Sequence, residues 1–79
     1  MSDITNYENL ANAIIEQAVK DYKTALCYYY CHPDKKRYAD EVDDLEKFFR
    51  SKWYGILTDL DGEYLMSGVR AMVRKEVTE

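Results

Sequence analysis

The sequence predicts an all-α domain, a small bundle of three main helices and one short one. Three observations carry this. Apolar residues recur every three or four positions along most of the chain, the period of one helix face. With only three Gly and one Pro in 79 residues, a turn-rich β-sandwich has too few turn formers. The breaks in the periodicity fall where residues suited to turns and helix caps cluster. A chain of this length makes one small domain over residues 1–79, with room for one modest core.

The first helix is expected over residues 3–30. Tyr7, Ala11, Ile14, Ala18, Tyr22, Ala25 and Tyr29 form its stripe, and Ile15, Val19 and Leu26 widen it. Ser2, Asp3 or Thr5 can accept a bond from a free backbone N–H at its start. "CHPDKK" ends it, because Pro33 disfavours helical geometry at His32. Pro33 suits the first turn of a second helix, expected over residues 33–50, with Asp34 near its positive end. Tyr38, Val42, Leu45 and Phe49 are its inward stripe. Ser51 caps a short third helix over residues 52–57, with Trp53, Ile56 and Leu57 facing inward. The last helix is expected over residues 60–76, capped by Thr58 with Asp61 three residues on, and burying Leu65, Val69, Met72 and Val73. Arg70, Arg74 and Lys75 crowd its C-terminal part, where the helix dipole favours cations.

Composition narrows the function classes. Fifteen acids against eleven bases give a net charge of −4, which disfavours general nucleic-acid binding because phosphate contacts need a concentrated basic face. No apolar run reaches the ~18–20 residues of a membrane span, and "MSDITNYENL" is too polar for a signal peptide. A cytoplasmic setting is expected. Cys27 and Cys31, one helical turn apart, have nearly parallel side-chain vectors and are expected as free, exposed thiols.

Several motifs imitate known chemistry. "ILTDLDGEYL" looks like the nucleophile segment of the haloacid-dehalogenase phosphotransferases. That nucleophile ends a buried parallel strand in a larger domain, whereas here the upstream pattern is helical and twenty residues follow Asp59. As a calcium loop it fails too: Gly62 stands fourth from Asp59 rather than sixth, and Arg70 takes the position of the bidentate Glu. The segment therefore reads as a helix start. His32, Pro33 and Asp34 echo the HPD of heat-shock co-chaperone J-domains, but the helices around them lack that domain's basic face. Cys27, Cys31 and His32 fall one ligand short of a structural zinc site, so no metal and no cofactor are expected. With one His and no Gly-rich phosphate cradle, no catalytic set can be assembled, and the chain reads as a non-enzyme.

Two features suggest binding instead. In "DEVDDLE", Val42 and Leu45 turn inward, leaving Asp40, Glu41, Asp43, Asp44 and Glu46 on one outer surface. Such a face is commonly just solvated. Its sharper reading is a phosphate mimic docking on a basic groove, helped by electrostatic steering. In "YYY", Tyr29 belongs to the stripe, which leaves Tyr28 and Tyr30 on the flanks as candidate anchors.

"YENLANAII", "QAVKDY" and above all "FFRSKWYGILTDLDGEYL" resemble a group of small proteins encoded in prophages and conjugative elements of Gram-positive, clostridia-like bacteria. The resemblance covers most of the chain and is weakest over residues 30–38 and the C-terminal tail. It implies a context, that of a mobile-element accessory protein acting in the host cytoplasm. In that setting small acidic proteins inhibit host defence, in the manner of an anti-CRISPR protein filling a nuclease's nucleic-acid site. The expected partner is thus a host protein with a basic surface. An alternative is an oligomeric sponge for a nucleotide immune signal, with Arg50, Lys52 and Trp53 contacting phosphate and base. Another is a structural or regulatory helper of the element. Arg50, Thr58, Asp59 and Glu63, polar within the matching block, are expected to form either a network joining the short helix to the last one or a binding site.

Overall fold

A computed structural model describes residues 3–78, with side chains described for residues 10–76. Among these, all regular structure is helical: α1 (Asp3–Cys31), α2 (Lys36–Phe49), α3 (Lys52–Leu57) and α4 (Gly62–Thr78). The expected all-α bundle of three main helices and one short helix is what forms. None of these helices is long and apolar enough to cross a membrane.

At 29 residues, α1 runs about 43 Å and sets the 49 Å long dimension of the molecule. The caps proposed for its start and the stripe residue Tyr7 lie outside the described side chains. Helix α2 doubles back along α1, so that Tyr28 stacks on Tyr38 near the turn and Tyr22 meets Phe49 far from it. Helix α4 then returns beside α1 in the same sense: Tyr22 bonds to Arg70, and Lys23 pairs with Glu76.

The α1–α2 connector departs from expectation. Pro33 does not start α2; it sits in a turn closed by the Lys35 N–H donating to the His32 carbonyl at 3.1 Å. Proline's fixed φ suits the second position of such a turn as well as a first helical turn. Helix α2 therefore begins three residues later, after an extended Lys35 that offers no side-chain cap, and Asp34 falls outside it.

The core is built from Tyr22, Ala25 and Leu26 of α1, Val42 and Phe49 of α2, Tyr54 of α3, and Met66, Val69 and Val73 of α4. Three inward assignments, those of Trp53, Ile56 and Met72, and the outward one of Cys27 are corrected. In α3, Trp53 and Ile56 are exposed and Tyr54 is buried instead, edge-on to Phe48 and Phe49 at 5.9 and 5.6 Å. A helix of six residues has one narrow inward face, and the aromatic cluster selects Tyr54 for it. In α4 the stripe is rotated, with Met66 buried and Met72 half exposed. In α1, Cys27 packs partly against the core while Cys31 is exposed; both are free thiols.

The opening of α4 explains "TDLDG". Thr58 does not cap α4; its hydroxyl accepts from the Leu60 N–H at 3.2 Å in a local turn. The cap is Asp61, whose carboxylate accepts from the Glu63 N–H at 3.0 Å while its carbonyl accepts from the Leu65 N–H. The expected start at residue 60 thus moves to Gly62, because the cap lies three residues beyond Thr58. Gly62 is there for space: a Cβ would collide with the Phe49 carbonyl, where α4 abuts the end of α2. Ser51 caps α3 as expected, accepting from the Tyr54 N–H at 3.2 Å and donating to the Phe48 carbonyl at 2.6 Å.

Candidate functional site

Two helical stripes face each other along one side of the molecule. On α1, Asp21, Thr24, Ala25 and Tyr28 follow the i, i+3, i+4, i+7 pattern that shares one helix face. On α2, Glu41, Asp44 and Leu45 do the same. Together these seven residues line an open groove of about 420 Å³. Ala25 and Leu45 lend it apolar surface, Tyr28 is half exposed along it, and three carboxylates supply its charge. No lysine, arginine or histidine lines it. A groove with several carboxylates, an aromatic wall and no internal cation is complementary to a guanidinium or ammonium group carried on an apolar stem.

Local packing positions these groups. Tyr28 lies against the ring of Tyr38 at 5.3 Å and 17°. Tyr38 in turn carries the Arg37 guanidinium 5.1 Å from its ring centre. Asp21 accepts a hydrogen bond from the Gln17 amide at 3.0 Å. Asp43, next to the groove in sequence, pairs with Lys47 at 3.2 Å and holds that ammonium's pKa above its ordinary value.

The candidate anion surface thus divides. Glu41 and Asp44 line the groove, and Asp40 and Asp43 are exposed beyond it. Glu46 is corrected from an outer to an inner residue. Its carboxylate accepts from the Tyr22 hydroxyl at 2.6 Å and from the Arg70 guanidinium at 3.2 Å, in a part-buried position. Arg70 also donates to the Tyr22 oxygen at 2.9 Å, closing a triangle across α1, α2 and α4. Burial first, and then the bond to Glu46, push the Tyr22 phenol above its ordinary pKa. Of the two flanking tyrosines, Tyr28 lies on the groove, while Tyr30 is half buried and packs against Tyr29 at 6.0 Å.

The polar residues of the motif-rich block fall elsewhere. Arg50 donates to Glu63 at 2.6 Å, and this bond depresses the Glu63 pKa. Arg50 also reaches Glu46 at 3.4 Å. The expected network therefore exists in part, but it joins the end of α2, not α3, to α4. Asp59 is exposed, and Thr58 bonds locally. Lys52 and Trp53 are exposed near Arg50, whose charge is directed to Glu63 and Glu46. Among the described residues, no three His, Cys, Asp or Glu side chains converge in a way that could hold a metal ion.

Reading the sequence alone missed Asp21 and Thr24, because Lys20, Lys23 and Thr24 look like a solvated face of α1. The seven-residue step from Asp21 to Tyr28, set beside Glu41 and Asp44 on an antiparallel neighbour, was the available signal. Comparison with protein-family models, curated proteins and solved structures gives no match to this chain.

Proposed function

We propose that this chain is a non-enzymatic binding protein that occupies a basic, nucleic-acid-binding surface of a host defence protein. One observation carries the reading: Asp21, Glu41 and Asp44 from two helices converge on a groove walled by a half-exposed tyrosine, with no cation among its lining residues. Asp40 and Asp43 extend the negative field beside it. An arginine or lysine of the partner would enter the groove, its stem on Ala25 and Leu45 and its charge among the carboxylates. The remaining acids would steer association. Resemblance to mobile-element proteins supplies the defence setting of the proposal.

The test uses the intact chain as bait in a lysate of a clostridia-like host, beside the variant Asp40→Asn, Glu41→Gln, Asp43→Asn, Asp44→Asn. The wild type should retain a nucleic-acid-binding protein that elutes at raised salt and loses nucleic acid when the wild type is added. The variant should neither retain nor inhibit it. Equal inhibition by the variant would remove the mechanism.

A further inference from the structure

On the side of α1 away from the acidic groove, Val19 and the α4 residues Tyr64, Leu65, Ser67, Gly68, Val69 and Met72 line a second groove of about 380 Å³. No lining residue is charged. Asp21 and Val19 lie 200° apart around α1, so the two grooves look in opposite directions. Tyr64 is 73% exposed and Met72 50% exposed. Gly68 lies between them in mid-helix, with nothing within 4 Å of the place a Cβ would take. The glycine is a poorer helix former than alanine, and no neighbour among the described residues requires it.

The exposed stripe is Asp61, Tyr64, Gly68, Met72 and Lys75, with steps of three, four, four and three. At 100° per residue these five lie within an 80° arc. The spacing is the same read in either direction from Gly68, and the two ends carry opposite charges. An antiparallel copy crossing at Gly68 therefore sets Tyr64 against Met72 and Asp61 against Lys75, each twice, with the two glycines at the axis.

We infer that this chain forms an isologous homodimer through α4, the two helices crossing antiparallel at Gly68. Three observations favour a second copy over another occupant. The stripe complements itself in both size and charge, as a two-fold interface requires. Gly68 gives the close backbone approach that a symmetric crossing needs, and sulfur–aromatic contact favours Met72 against the partner's Tyr64. Both acidic grooves are left facing outward, so two chains of net charge −4 meet away from their acidic faces. The dimer goes beyond the proposed binding function and does not depend on it.

Sedimentation equilibrium of the intact chain from micromolar to millimolar concentration tests this. A monomer–dimer equilibrium is expected, with the Kd raised about tenfold or more by Gly68→Leu. In the monomer the Cβ of Gly68→Leu has nothing within 4 Å and leucine improves helix propensity, so the melting temperature should not fall. Lys75→Glu, which faces the partner's Asp61 with a like charge, should weaken the dimer severalfold, and more at low salt. The fourfold acidic-face variant should dimerise like the wild type, which separates this inference from the binding proposal. A chain that stays monomeric at every concentration, or a dimer unmoved by both Gly68→Leu and Lys75→Glu, overturns it.

Discussion

The Tyr22 hydroxyl donates to the Glu46 carboxylate at 2.6 Å, from a ring with no exposed surface. Without Glu46 the phenol's proton would lack its acceptor, and the Arg70 guanidinium beside it would lose its counter-charge. Glu46→Ala should therefore destabilise the fold by about 2 kcal/mol, the scale of a part-buried, charge-assisted group left unpaired. The double variant with Arg70→Met should recover part of the loss, since it also removes the stranded cation. Urea denaturation of the four species gives the coupling; additive losses would mean the triangle is not a unit.

Tyr54 presents the opposite case. Its ring fills the α3 side of the core, but its hydroxyl is buried with no hydrogen-bond partner. Burial, reinforced by the nearby Asp61 charge, raises its pKa above the ordinary phenol value. Tyr54→Phe keeps the ring contacts with Phe48 and Phe49 and removes the unsatisfied oxygen. It should stabilise the protein by about 1 kcal/mol, read as a higher urea midpoint with an unchanged slope.

How far the sequence reveals this architecture follows from what periodicity can encode. Tyr22, Ala25, Val42, Phe49, Val69 and Val73 keep to a 3.6-residue period, and that period is a property of each helix alone. Trp53 and Tyr54 in α3, or Met66 and Met72 in α4, are decided by neighbours. A rotation of one residue exchanges one apolar side chain for another with no change in pattern. Cap choice behaves likewise, because Thr58 and Asp61 are both capable caps, and only the folded chain shows Asp61 bonded to the Glu63 N–H while Thr58 bonds to the Leu60 N–H. The carboxylates of α2 were legible as a cluster. Their division into Glu46 inside and Glu41 and Asp44 on a groove required knowing where Tyr22, Arg70 and Asp21 lie.

Gly62 separates a spatial requirement from a propensity. Alanine there places its methyl group against the Phe49 carbonyl, where backbone at the end of α2 cannot yield cheaply. Gly62→Ala should cost about 1–3 kcal/mol, the range for overpacking a fixed site. Gly55→Ala, which meets nothing within 4 Å in mid-helix, should instead stabilise by about 0.5–1 kcal/mol. Thermal melts of the two variants should move in opposite directions. Matching shifts would show that helix propensity, and not the close approach, governs Gly62.

The buried tyrosines also set an alkaline limit. In the folded chain the Tyr22 phenol titrates above its ordinary value, first through burial and then through Glu46, and Tyr54 is shifted the same way. Above about pH 10 the unfolded chain releases these protons while the folded chain keeps them. The stability associated with the neutral phenols is thus fully present below pH 10 and is lost as pH rises toward their folded values. The loss approaches about 1.4 kcal/mol per pH unit for each phenol held neutral. Tyr22→Phe should flatten the decline between pH 10 and 12, even if the variant is less stable at pH 7. Urea midpoints across that range, for wild type and variant, decide the matter. Identical slopes would mean that the Tyr22 proton is as easily lost from the folded chain as from the unfolded one.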